Sequence, residues 1–310
     1  MSVEPLTHFI AGGLAGAAGT AVTCPLEVVK TRLQTEVGQG LIRHYGLQPA
    51  VSVAGSMEGH MTTVLVPRGL AYARHLFQTE GGLAFFKGLA PSLFGIIPTR
   101  ALYFTAYSQA KQFYNSVFRY ESAAVHLASA VTAGITTTTA TSPIWVVKTQ
   151  IQLDTRPGKS LGPRRCIKRI YNLDGLRGFY RGLTASYAGT LETAIHFVIY
   201  EHMKKVLSSN RQRDLELTEC MFAAAAAKMT ASSLCYPHEV CRTRLRQNVT
   251  RSERRYHNFL QTLRVVWFEE GVNGLYGGMG AHLIRVVPNT AIVFFTYEAV
   301  VRILGSGRDC

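Results

Sequence analysis

The chain has 310 residues, a net charge of +14 and a mean hydropathy of only +0.09. A balance this basic would suit a nucleic-acid partner, yet no RNP, zinc-finger or helix-turn-helix pattern is present, and a nucleic acid polymer is not expected. Long uncharged stretches separate the basic segments, which argues against two or three soluble domains and for a membrane protein whose spans keep one wet face.

The first stretch lies between Glu4 and Glu27, with 22 intervening residues free of formal charge. Others, four of them with a charged residue inside, follow at about 88–110, 122–147, 182–200, 220–238 and 277–297, each near the ~20 residues that cross a bilayer as a helix. Gly12, Gly16 and Thr20 in the first, and Ala130, Gly134 and Thr138 in the third, form small-residue faces along which helices approach closely in lipid. The first, third and fifth stretches end in TCPLEVVKTRLQ from Thr23, TSPIWVVKTQIQ from Thr141 and CYPHEVCRTRLR from Cys235. Pro25, Pro143 and Pro237 each remove a backbone hydrogen bond and are expected to kink their helices, turning the charged tails toward a common axis.

A second signature follows each time: EGGLAFFKG from Glu80, DGLRGFYRG from Asp174 and EGVNGLYGG from Glu270. The even stretches then align without gaps as PTRALYFTAYS from Pro98, LETAIHFVIYE from Leu191 and PNTAIVFFTYE from Pro288. The chain is therefore read as three tandem repeats, 1–116, 117–211 and 212–310, each a span, a polar loop with a short helix, and a second span. The fold class is all-α, with six transmembrane helices. The first repeat carries an extra segment within 35–73, read as a surface excursion.

Connections inside the repeats hold 22 of the Lys and Arg residues, the termini and inter-repeat connections 8, and the spans 3. The positive-inside tendency puts the intra-repeat loops on the side away from both termini. Six cysteines show no C-x-x-C and no metal spacing, and no phosphate-binding loop or nucleophile–base constellation is present, so neither metal, cofactor nor enzymatic activity is expected.

These paired signatures resemble the mitochondrial carrier family over nearly the whole chain. The family pattern P-x-[DE]-x-x-[KR]-x-[KR]-x-Q is complete in Pro25, Glu27, Lys30, Arg32 and Gln34. The resemblance implies a pseudo-threefold bundle around one central cavity, working by alternating access in the mitochondrial inner membrane as a monomer. It further implies termini facing the intermembrane space and contact with membrane lipid such as cardiolipin. Trp145 stands where the pattern wants an acid, a form similar to the branch carrying pyrimidine nucleotides, NAD, FAD and folate. Within that branch, residues 180–201 and 236–246 are most similar to the pyrimidine nucleotide carriers.

Carried over residue by residue, the resemblance pairs Glu27 with Lys148 and Glu239 with Lys30 in a matrix gate. Trp145 cannot form an ion pair with Arg242; a cation–π contact there would contribute on the order of 0.5–2 kcal/mol. Gln34 and Gln152 match the brace beneath the pairs, and Arg246 replaces the third glutamine. The cytoplasmic gate pattern [FY]-[DE]-x-x-[KR] is complete at Tyr200, Glu201 and Lys204. Tyr107 with Lys111 lacks the acid, and Tyr297 with Glu298 lacks the base, so Lys111 would pair with Glu201 and Lys204 with Glu298.

A near-symmetric cavity must hold an asymmetric ligand, so residues that break the repeat are the binding candidates. Four spans carry one formal charge each, Arg100, Glu192, Lys228 and Arg285, at a cost of ~2.5–3.5 kcal/mol per charge on insertion scales. Three cations and one acid favour an anion, and guanidinium groups suit phosphate oxygens. Thr99, Glu192 and Asn289 share one alignment column, and Tyr103, His196 and Val293 another. Glu192 and Asn289 would bond a base or ribose and Tyr103 would stack on a ring. Two alternatives stand beside this: Glu192 in an internal ion pair with Arg100 or Lys228, and His196 as a packing residue. The expected activity is exchange of pyrimidine nucleotide di- and triphosphates, driven by counter-gradients or by a proton taken through Glu192 or His196. The alternatives are a carrier of NAD, FAD or folate, and a non-transporting receptor or scaffold on the same fold.

Overall fold

The structure is a computed structural model and describes residues 3–36, 38–40, 68–118, 122–155, 161–211, 217–247 and 255–306. Most of the segment 35–73 lies outside them. The described helices are, in chain order, α1 (Val3–Leu33), α2 (Arg68–Glu80), α3 (Leu89–Val117), α4 (Ala123–Gln152), α5 (Pro163–Asp174), α6 (Leu183–Arg211), α7 (Leu217–Leu245), α8 (Phe259–Leu275) and α9 (Met279–Ser306). Among the described residues there is no strand. The pattern long, short, long recurs three times. Three helices among the described residues, over Ala11–Leu33, Gly82–Val117 and Met279–Ile303, are long and apolar enough to cross a membrane. The threonine-rich α4 falls short of that apolarity because its polar residues line an interior cavity.

Long helices pack most closely between repeats: α3 on α4, α6 on α7, and α9 back on α1, which closes a ring. The glycines of the second signature make this approach possible. Gly81, Gly175 and Gly271 have positive φ (79°, 61° and 63°) and turn the chain after the acid. Gly88, Gly182 and Gly278, also left-handed, start the even long helices against the end of an odd one. A Cβ on Gly88 would meet Gln152 at 2.7 Å, one on Gly182 the Arg242 carbonyl at 3.2 Å, and one on Gly278 the Lys30 carbonyl at 2.9 Å. Only glycine combines that dihedral with that clearance.

The apolar core is densest at the end bearing the short helices. There Val147 and Ile151 pack on Cys166 and Ile170, and Leu245 packs on Val266 and Leu275. Burial pushes the Cys166 thiol up to about 11. Elsewhere the long helices display large apolar side chains outward, among them Leu14, Phe94, Phe104, Val198, Phe294 and Phe295, as a lipid-facing surface does.

A closed ion-pair layer beneath a polar cavity

Helices α1, α4 and α7 run through Pro25, Pro143 and Pro237 and bring their tails together. Lys148 Nζ lies 2.5 Å from Glu27 Oε1, and Lys30 Nζ lies 2.5 Å from Glu239 Oε2, all largely buried. These are the two pairs expected from the sequence. The third contact differs. Arg242 turns to Glu239 on its own helix at 3.4 Å, and the cation over the Trp145 ring is Lys148, 4.8 Å from its centre. Trp145 Nε1 donates to Thr141 at 3.2 Å, which holds the indole along α4. The nearer cation, one turn along the same helix, takes the aromatic face.

The layer beneath ties neighbouring helices together rather than gripping the ion pairs. Gln34 accepts from Thr243 (2.6 Å) and donates to Tyr236 (3.0 Å), while Gln152 accepts from Thr31 (3.3 Å). Arg246 donates to Ser186 at 3.2 Å. Sequence reasoning missed His282, whose Nδ1 accepts from Lys30 at 2.8 Å. Its only signal was a place one turn before Arg285, and helix rotation decides where that turn points.

A further ring of charges ties the short helices to the tails. Arg32 pairs with Glu80 and donates to the Gln152 carbonyl at 2.9 Å, and Lys87 reaches Glu80 at 2.7 Å. Burial alone would raise the Glu80 carboxyl, but the hydrogen bonds from Arg32 and Lys87 outweigh it and hold it below the usual carboxylate range. In the third repeat the fully buried Arg244 bonds Glu270 at 2.6 Å, Tyr256 at 2.9 Å and the Gln34 carbonyl at 2.7 Å. The second repeat has Gln150 at this position. There Asp174 is held by Arg181 at 3.4 Å.

Between the odd tails and the even helices lies a cavity of about 430 Å³. Glu27, Lys30, Gln34, Trp145, Lys148, Gln152, Glu239 and Arg242 form its floor, with Thr99, Glu192 and Arg285 along the walls. Thr137, Thr138, Thr141, Thr190 and Thr193 add a hydroxyl belt; the sequence marks Thr138 as part of a helix-packing face, not as a cavity residue. Arg285 reaches Glu27 at 3.4 Å. Lys228 bonds Glu192 at 2.6 Å, and Ser232 donates to the same oxygen at 2.7 Å, so of the two ion pairs weighed for Glu192 the structure makes the one with Lys228. Thr99 Oγ1, Thr137 Oγ1, Gln152 Nε2 and Arg285 Nε are buried with no hydrogen-bond partner among the described residues. Among the described residues no group of His, Cys, Asp and Glu is placed to hold a metal.

A family profile described as "Mitochondrial carrier protein" matches residues 2–118, 120–211 and 213–308. This chain belongs to the mitochondrial carrier family. Among similar carriers, Solute carrier family 25 member 36 of Mus musculus is 45% identical over 97% of this chain and 98% of its own length. Solute carrier family 25 member 33 of Homo sapiens is 42% identical over 96% of this chain and 95% of its own length. Mitochondrial carrier protein rim2 of Schizosaccharomyces pombe is 37% identical over 97% of this chain and 90% of its own length.

At the other end of this carrier the charges are arranged differently. Glu298 holds Arg302 on its own helix at 2.6 Å rather than Lys204. Tyr107 bonds His126 at 2.9 Å and stacks with Tyr103 at 6.2 Å between ring centres, while Tyr200 lies beside His196 at 6.5 Å. Of the eight expected binding residues, Thr99, Glu192 and Arg285 line the cavity; Lys228 meets it through Glu192, and Tyr103, stacked on Tyr107, stands off it with three more. Asn289 abuts Gly19 and lies 3.4 Å from Thr23, His196 packs against Tyr200, and Arg100 lies in a separate apolar cleft.

Proposed function

We propose that this carrier exchanges pyrimidine nucleotide di- and triphosphates across the mitochondrial inner membrane, as a monomer of six spans. Both termini face the intermembrane space and the basic loops face the matrix. The observation that carries the reading is the cavity: Glu192 lines it from the second repeat and Arg285 from the third, with Lys228 paired to Glu192 and Arg285 to Glu27. Partnerless buried polar atoms at Thr99, Thr137 and Arg285 wait beside them. A phosphate chain takes guanidinium and ammonium groups away from Glu27 and Glu192, and a base edge takes the hydroxyls. The choice of pyrimidine rests on the Trp145 form and on the resemblance of residues 180–201 and 236–246. Glu27–Lys148 and Lys30–Glu239 act as the matrix gate, closed in this state. Lys111, Glu201, Lys204 and Glu298, with Tyr107, Tyr200 and Tyr297, act as the cytoplasmic gate.

The test is exchange by the purified protein in liposomes loaded with UTP and offered labelled UTP, CTP, ADP, NAD and folate. Uptake of UTP and CTP is expected. Uptake of NAD or folate alone would move the substrate within the branch, and no uptake of any would favour a receptor. Arg285→Ala and Lys228→Ala each remove a charged hydrogen bond worth ~1.5–3 kcal/mol to the bound state and should abolish exchange in a folded protein. Normal exchange in both variants would overturn the site.

A further inference from the structure

A second cavity, of about 740 Å³, lies where α1 passes between α3 and α9. It exists because α1 is stripped of side chains there: a Cβ on Gly12 or Gly13 would meet nothing within 4 Å. Its walls are apolar, with Ile97 and Phe104 from α3 and Phe294 from α9, all largely exposed on the lipid-facing surface. One charge stands in it, Arg100, which makes no hydrogen bond or ion pair among the described residues.

This combination differs from that in the central cavity, where Arg285 rests on Glu27, Glu192 is paired with Lys228 and the walls are hydroxyl-rich. A guanidinium in apolar walls inside a span demands an anion that brings its own apolar body. A nucleotide has polar groups along its whole length and fits the threonine belt instead. Depth narrows the class further. Arg100 lies about 17 Å along α3 from Leu89 and about 25 Å from Val117, well inside the helix. The headgroup of a two-chain lipid would have to leave the interface to reach it. A single-chain carboxylic acid can enter in its neutral, protonated form and ionise beside the guanidinium, which a phosphodiester headgroup cannot.

We propose that this cleft is a binding site for a long-chain carboxylate, its acid group held by Arg100 and its chain laid over Gly12 and Gly13 between Phe104 and Phe294. The site is distinct from the nucleotide path and opens sideways to the bilayer.

The test uses the full-length carrier in phosphatidylcholine liposomes with a photoreactive, diazirine-bearing palmitate, and maps the labelled peptides by mass spectrometry. Labelling is expected on segments containing Phe104 and Phe294, surviving an excess of UTP. Arg100→Gln should lower it by at least about tenfold, the worth of one charge-assisted hydrogen bond, with Arg100→Lys restoring part of it. Gly13→Leu, which fills the cleft and keeps the charge, should lower it as well. Equal labelling of wild type, Arg100→Gln and Gly13→Leu would reduce the cleft to ordinary lipid contact and overturn the proposal. Displacement by UTP would return Arg100 to the nucleotide path and overturn it too. Displacement by lysophosphatidic acid as effective as by palmitate would overturn the choice of a carboxylate.

Discussion

Single side chains carry unequal loads in this molecule. Arg244 is buried to exclusion of solvent and its guanidinium bonds Glu270, Tyr256 and the Gln34 carbonyl. Glu270→Ala leaves that buried charge with only the longer, 3.7 Å contact to the half-exposed Glu36, so a loss toward the lower end of roughly 3–5 kcal/mol in stability is expected. Thermal unfolding in detergent measures it, and a shift no larger than that of a surface control would show the bonds to be dispensable. Glu80 has a pH signature. Its carboxyl sits below the ordinary range when folded, so the stability it contributes is complete above the unfolded value near 4.5 and drains away as pH falls through the folded one. Wild type should lose melting temperature on acidification below that point, with a slope that Glu80→Gln flattens. Trp145→Asp restores an acid facing Arg242 and should strengthen the closed layer. Slower exchange with a higher melting temperature is the expected pair of results, and faster exchange would contradict it.

At the scale of elements, the glycine joints matter most. Gly278 combines φ 80° with a Lys30 carbonyl 2.9 Å from where a Cβ would sit. Gly278→Ala therefore costs roughly 1–3 kcal/mol of backbone strain before the α9–α1 seam is pushed apart. Gly12→Ala, in open space on a helix, should be neutral or slightly stabilising by the same melting assay. Much at this scale was legible in the chain. Acid and base stand at fixed offsets from each proline, so the partners of Glu27 and Lys30 follow once three copies are seen. Helix rotation was not legible. Three side chains turn on it: Lys228 onto Glu192, His282 onto Lys30, and Arg100 away from the cavity. Each depends on tens of degrees about a helix axis, which spacing alone does not set. Trp145 was read against the wrong cation for a related reason: threefold logic looks across the axis, and the ring found Lys148 on its own helix.

For the whole molecule, closure at one end and a different arrangement at the other is the expected geometry of one half-cycle. Because Glu27 is shared by Lys148 and Arg285, an anion that claims Arg285 changes the charge felt by the ion-pair layer below it. The three seams between odd helices are not equally fastened. Along α1 and α4 there are the Glu27–Lys148 pair and the bond from Arg32 to the Gln152 carbonyl. Along α7 and α1 there are Lys30–Glu239 and the bond from Arg244 to the Gln34 carbonyl. Between α4 and α7 both fasteners are missing among the described residues, since Trp145 replaces the acid and Gln150 the arginine; the 3.4 Å bond from Arg181 to the Gln247 carbonyl starts just before α6, as that from Lys87 to the Asp154 carbonyl starts just before α3. A tripod with two bolted feet and one resting foot tips in a single direction. Amide hydrogens around Trp145–Gln152 and Arg242–Leu245 should therefore exchange ahead of those near Glu27–Leu33, giving the turnover cycle a preferred first movement written into one corner of an otherwise threefold ring.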